Sequence, residues 1–509
     1  MIEAKKRLVS NVVSSALAVI VNSVVAIWQT PYLIRHLGVE VYGMIPLVTS
    51  FIAYMNLFTT ALSSAVSRYV AIYAGRGETE TGNRYLSSAA TVLLIICALL
   101  LVPVLVMAVN FARVFHVPSG QERSSGWLFL FVMLAGGALA LASPYQVSTF
   151  VRHRFDLSNA VTIGTKGVLV AAIVVFFTWV SPSLAYFGVA YSLMAMALLA
   201  ASMVLTHILT PEFRIDVRKF DFGAVKDMGR MSGWIAVNQL GAVLYISFGF
   251  IVINLFLGPE AVGRYGPVAQ LSVLLSTLGG ALSNVFAPIA FEYIARNQLQ
   301  DLVLQLQRAI KLLGLAMGFA VGVLCGMATP ILKRWLGPEF VDLTPLVWLL
   351  IGPWLASIAV RPAFAVFRGL DKVKVPGLVT CAGGIVNVCL SIVLIRFTGL
   401  GIYGVAWALL VCLAGKNLLF TPVYTSLIMG VSKMVFIRSL LPGTVMALLL
   451  TLAGLVLSRV YHLATIPRLL GVTVMLLPIY AITCYSVFMT CEERRLVWSV
   501  LLRKELSRV

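Results

Sequence analysis

Apolar runs of about twenty residues recur along this chain from near its start to within about twenty residues of its end; "TVLLIICALLLVPVLVMAV" (91–109) is one. A run of that length crosses the hydrocarbon core of a bilayer as an α-helix. Lipid offers no partners for backbone N–H and C=O groups, so such runs must satisfy those groups internally, as helices do. The connections between the runs are short, and no polar block is large enough for a soluble domain. Soluble chains are about 45–50% apolar and about 25% charged; this one of 509 residues is 60% hydrophobic and 11% charged. The sequence therefore reads as an all-α integral membrane protein.

Fourteen spans are expected, at about 8–37, 43–74, 85–112, 126–150, 159–180, 184–207, 230–257, 266–295, 302–332, 345–367, 376–396, 401–429, 439–458 and 467–489. The first lacks a small-residue cleavage site and is followed by others, so it reads as a retained helix and not a signal peptide. Prolines 31, 46, 144, 288, 353, 362 and 422 lie in or beside spans and predict kinks. Six of the seven cysteines fall inside spans, without metal-ligand spacing or a disulfide pattern, and read as small buried apolar residues. Trp28, Trp234, Trp335 and Trp498 near span ends read as interfacial belt residues.

The net charge of +19 is spread between spans, which speaks against nucleic acid as a partner and for a sidedness rule. With the N-terminus in the cytoplasm, 25 Lys and Arg fall on the inner side and nine on the outer. That bias places both termini inside, as an even number of spans requires. The tail after the last span repeats apolar residues at helical intervals among basic ones and reads as an interfacial helix.

Self-comparison divides the chain after six spans. "LGVEVYG" (37–43) aligns without gaps with "LGPEAVG" (257–263) at an offset of 220, and eight of 28 positions from there are identical. Both copies fall on the same side, because an even number of spans separates them. The halves therefore read as parallel repeats related by an axis along the membrane normal, an arrangement that lets two bodies rock about a central site. A merely structural duplication is the alternative. The expected organisation is 1–207 as an N-terminal lobe, 208–229 as a cytoplasmic linker, 230–429 as a C-terminal lobe, 430–489 as spans 13 and 14, and 490–509 as a cytoplasmic amphipathic tail.

The stretch "TPYLIRHLGVEVYGMIPLVTSFIAYMNLFTTALSSAVSRYVA" (30–71) resembles the opening of bacterial polysaccharide and O-antigen flippases. Leu37 and Gly38, Tyr42 and Gly43, the small polar Ser63 and Ser64, and Arg68 carry the resemblance. That family is the polysaccharide branch of the multidrug/oligosaccharidyl-lipid/polysaccharide exporter superfamily. The resemblance implies two six-helix lobes around a central cationic cavity, with spans 13 and 14 peripheral. It also implies export of an undecaprenyl-diphosphate-linked oligosaccharide across the cytoplasmic (inner) membrane for O-antigen, capsule or exopolysaccharide synthesis. Expected partners are that lipid-linked substrate, membrane lipids and a polysaccharide polymerase or co-polymerase.

An ionisable residue inside a bilayer is costly and marks a functional site by default. Four cations lie within spans: Arg68, Lys166, Arg361 and Lys416. Lys416, in "ALLVCLAGKNLLFTPVY" (408–424), is about 13 residues from one end of its span and 15 from the other. At 1.5 Å per residue that is roughly 20 Å from either surface, too deep for a lysine to snorkel. A diphosphate would be held by such charges through charge-assisted hydrogen bonds. Snorkelling towards the interface is the plainer account of Arg68 and Arg361, and capping of freed carbonyls that of Lys416. Asn22, Gln29, Asn56, Asn238, Gln239, Gln270 and Asn284 are candidate sugar contacts, although the same groups also join membrane helices.

A cation-coupled drug exporter would be expected to hold a carboxylate deep in a span, where this sequence has none. A lipid II flippase of the same superfamily stays open. A membrane glycosyltransferase or polymerase would need clustered acids on the outer side, but Glu40, Glu122, Glu260, Glu339 and Asp342 are scattered. With no phosphate-binding loop, zinc spacing or nucleophile constellation, no catalytic activity, cofactor or metal is expected.

Overall fold

The computed structural model describes residues 2–460 and 465–494. Among them are fourteen helices long and apolar enough to cross a membrane, and no strand. The spans run 13–37, 39–75, 79–109, 122–151, 155–180, 184–209, 232–257, 259–295, 299–326, 338–369, 374–398, 402–428, 435–460 and 467–488. Count and placement match the sequence reading. The amphipathic tail read over 490–509 lies outside the described residues beyond Arg494.

Proline punctuates these helices one turn upstream of itself, because it withholds the N–H that the carbonyl four residues earlier needs. Span 4 breaks at 143–146, around Pro144, and span 10 at Val360 and Arg361, before Pro362. Span 8 breaks at Val285 before Pro288. Span 12 widens into a π-helix over Gly415–Phe420 before Pro422. Pro31 and Pro353 lie inside unbroken helices instead. Pro46 lies inside a seven-residue helix bounded by breaks at Gly43 and Phe51.

The chain forms two compact units. The first comprises Met1–Gln270 and Val373–Cys412. Its spans 2, 3 and 4 pack Val66, Val70, Leu86 and Val147 against Phe213 and Met228. The connection between spans 6 and 7 is strapped to span 3 by three side chains that each bond its backbone twice. Asn83 donates to the Glu212 carbonyl (3.1 Å) and accepts from the Arg214 N–H (2.9 Å). Ser87 donates to Arg214 (3.4 Å) and accepts from Asp216 (3.0 Å); Ser88 donates to Asp221 (3.3 Å) and accepts from its N–H (2.9 Å). Asp221 then caps span 7's helix through the Gly223 N–H. The longest polar connection is thus a fixed strap.

The second unit comprises Leu271–Lys372 and Leu413–Val509. Phe286 and Ala290 of span 8, Leu302, Leu306 and Ile310 of span 9, Val360 and Val366 of span 10, and Phe436 of span 13 form its core. Lipid is as apolar as these side chains, so the core is held by close packing and not by exclusion of water. Side chains such as Leu99 (70% exposed) and Trp179 (83%) face outward, as suits a surface solvated by lipid. Of the cysteines, Cys325 and Cys484 are buried as expected, but Cys389 is exposed. An outward thiol inside a span meets lipid, which is also apolar, so membrane burial does not require protein burial.

The internal repeat is visible in the backbone. Gly38 (φ 80°, ψ 162°) and Gly258 (φ 87°, ψ 179°), 220 residues apart, both adopt the positive φ that glycine alone takes freely. The helices they introduce, 39–75 and 259–295, each have 37 residues.

Candidate functional site

Two of the four intramembrane cations meet in the second unit. The break in span 10 leaves Arg361 at the start of the short helix Pro362–Gly369, with its side chain half-buried. Its guanidinium reaches span 8, where Nη1 donates to the Ser276 carbonyl (2.7 Å) and Nη2 to the Ser276 hydroxyl (2.6 Å). Gly280 clears the space: a Cβ there would stand 2.9 Å from Arg361 Nη1. The planar fork of arginine, unlike an ammonium, satisfies both oxygens at once.

Lys416 stands on the π-helix of span 12, a form with one extra residue per turn that recurs at functional sites. Its Nζ lies 5.6 Å from the centroid of the Phe364 ring, a cation–π contact. Phe364 follows Arg361 by three residues and its N–H donates to the Arg361 carbonyl (3.0 Å), so the two cations approach the same turn of span 10. Beside them the buried Asn417 donates to the Ser357 hydroxyl (2.8 Å), which donates to the Pro353 carbonyl (2.8 Å). Thr421, Thr425 and Ser426 continue this polar face along span 12 and are buried. Lys416 is 14 residues from Ile402 and 12 from Ile428, roughly 20 Å from each end of the span. Lys416 thus lies at mid-span and Arg361 eight residues from the end of span 10, two cations with an aromatic face that suit an anion, while the buried amide and hydroxyls hold span 12 to span 10.

Lys166 and Arg68 belong to the first unit. Lys166 is half-buried on span 5 between Gly164 and Gly167, both of which face open space. Arg68 is an exposed residue of span 2, seven before Gly75. Among the amides, Asn22 donates to its own helix at Ala18 (2.8 Å). Gln29, Asn238, Gln239 and Gln270 are half-buried, while Asn56 and Asn284 are exposed. Asn284 lies in the second unit and the other six in the first. Sequence reasoning missed Ser276, Ser357, Phe364 and Asn417. Serines recur in many spans without distinction, but an amide directly after a deep lysine was a readable signal.

Residues 8–294 match the family described as "Polysaccharide biosynthesis protein", more than half of the chain. The chain belongs to that family. It is 28% identical over 480 residues to "Uncharacterized membrane protein EpsK" of Bacillus subtilis, covering 94% of this chain and 95% of that one. It is 21% identical over 423 residues to "Putative O-antigen transporter" of Shigella flexneri, covering 80% of this chain and 95% of that one. Among solved structures it resembles the inward-facing conformation of a multidrug resistance MATE family transporter of the MOP superfamily. The TM-score is 0.60 at 14% identity, over 85% of this chain and 95% of that one. That likeness shows the fold. The protein is a multi-pass membrane member of the polysaccharide biosynthesis family with a MOP-superfamily transporter fold.

Proposed function

We propose that this protein is a flippase. It carries undecaprenyl-diphosphate-linked oligosaccharide from the inner to the outer leaflet of the cytoplasmic membrane, for assembly of a surface polysaccharide. The observation that carries the proposal is that Arg361 and Lys416 both stand at the short helix Pro362–Gly369, one fixed on Ser276 and the other over the Phe364 ring. Two like charges at one helix in low dielectric repel, and an anion received between them turns that cost into attraction. A diphosphate offers several acceptors for the guanidinium fork and the ammonium. Lys166 and Arg68 are further candidate contacts for the anion, and the seven amides for the sugar.

In this reading the two six-span lobes, 1–207 and 230–429, rock by alternating access around the site. Spans 13 and 14 lie at the periphery, both termini in the cytoplasm. The protein performs no covalent chemistry; a polysaccharide polymerase consumes what it delivers. Family membership and the relative described as a putative O-antigen transporter support the substrate class. The test replaces the native copy with Arg361→Ala or Lys416→Ala and measures surface polysaccharide beside the amount of protein in the membrane. Export should fall at least tenfold in both. Normal export by normally inserted variants would remove the pair from the mechanism.

A further inference from the structure

The two glycines that end the repeated motif touch each other's turn. Gly43, where span 2 breaks after its first turn, lies so near span 8 that a Cβ on it would fall 2.1 Å from the Pro259 carbonyl oxygen and 2.8 Å from the Gly263 nitrogen. A Cβ on Gly263 would fall 2.0 Å from the Val39 carbonyl oxygen. Residues 39 and 259 are equivalent in the repeat, as are 43 and 263. The contact is therefore isologous: 43 meets 259 as 263 meets 39, which is what a two-fold axis through the seam produces. One turn further on, a Cβ on Gly266 would meet Pro46, its repeat equivalent, at 3.0 Å. All these residues lie within the first compact unit.

Neither glycine is there for its backbone angles. Gly43 has φ −55°, which any residue adopts, and Gly263 lies inside the helix Pro259–Asn284. Their missing side chains serve only the approach of one repeat to the other. A second contact ties the same end together. His116, in the connection between spans 3 and 4, is joined to Asn254 near the end of span 7 by three hydrogen bonds. The His116 N–H donates to Asn254 Oδ1 (3.0 Å), His116 Nδ1 donates to the Asn254 carbonyl (2.9 Å), and Asn254 Nδ2 donates to the His116 carbonyl (2.9 Å). Asn254 is wholly buried.

We propose that the glycine seam and the His116–Asn254 clasp form the gate at this end of the transporter, closed in this structure. Under the alternating-access reading on which the proposal rests, this is the outer end, and it must part to release substrate. A seam of backbone against backbone holds without filling the space that opens when it separates, and its symmetry lets both repeats withdraw together.

Spin labels at Glu40→Cys and Glu260→Cys, both exposed positions on the two turns, report the separation by pulsed electron resonance in lipid nanodiscs. The background replaces the seven native cysteines. Gly43→Ala with Gly263→Ala, and separately Asn254→Ala, should each move the population from short to long distances by about tenfold or more. Gly471→Ala, inside a helix and with no neighbour within 4 Å, should leave the distances unchanged. An unaltered distribution in both gate variants, correctly inserted, overturns the proposal. Should those variants fail to fold, bridging the two cysteines in the otherwise unaltered seam with a short thiol-cleavable cross-linker decides. The bridge should stop export and reduction should restore it; export at the unbridged rate overturns the gate. The distance measurement needs no substrate, so its outcome is separate from the identity of the cargo.

Discussion

Replacing Arg361 by glutamine should weaken diphosphate binding on the order of a hundredfold. The side chain now presents a full charge fixed by two hydrogen bonds to Ser276, at 2.7 and 2.6 Å. At about 6 Å from one unit of phosphate charge, and an effective dielectric of about 20, the attraction is about 3 kcal/mol. Each 1.4 kcal/mol is tenfold in affinity, which sets the expected loss. Arg361→Lys keeps the charge but cannot hold both Ser276 oxygens, so it should lose an intermediate amount, roughly tenfold. The assay is titration of purified protein in nanodiscs with undecaprenyl diphosphate, with undecaprenyl alcohol as the uncharged comparison. Only the charged lipid should discriminate between native protein and variants. Equal affinities of native, glutamine and lysine forms for the diphosphate would refute the reasoning, because the charge would then play no part in binding.

Other perturbations have defined outcomes. Gly280→Ala puts a methyl 2.9 Å from Arg361 Nη1; it should displace the guanidinium and lower diphosphate affinity less than Arg361→Gln does, measured in the same titration. Ser87→Ala with Ser88→Ala removes four of the six bonds that Asn83, Ser87 and Ser88 make to the backbone of the linker strap. Hydrogen exchange at 212–223 should accelerate, with a stability loss of about 1–3 kcal/mol per site, while exchange in span 10 stays unchanged. At the end of span 14, the buried Glu493 pairs with Lys311 (2.7 Å) and accepts from the Thr490 N–H (2.8 Å). Burial pushes its carboxyl up, but Lys311 and Thr490 outweigh this and hold it below the usual carboxylate range. A depressed value means that the pair contributes fully above the unfolded carboxylate pKa of about 4.3 and is lost as pH falls through the lower folded value. Glu493→Gln should cost about 1.5–3 kcal/mol at pH 7 in thermal unfolding and flatten the acid limb; an unchanged acid limb would show that the pair does not contribute.

The bilayer explains why so much of this fold was legible. Every span must satisfy its own backbone, so hydrophobic length alone located all fourteen helices. The depth of Lys416 could be counted along span 12 for the same reason. What the sequence hid was lateral: nothing in it pairs span 10 with span 8, so Ser276 could not be named as the partner of Arg361. The proline pattern marked span 12 for distortion, but not that a π-helix would carry the lysine. The matching glycines were visible as a repeat, but not their separate roles: Gly38 and Gly258 form the turns, while Gly43 and Gly263 serve contact.

The central claim is tested most directly by reconstituting the purified protein in liposomes with a fluorescent undecaprenyl-diphosphate-linked oligosaccharide and following its movement between leaflets. Native protein should move the lipid well above the protein-free rate, Lys416→Ala and Arg361→Ala should return it to that rate, and the same glycan on an uncharged lipid should not be moved. Native protein that leaves the diphosphate-linked lipid at the protein-free rate, or variants that flip it as fast as the native form, would contradict the account.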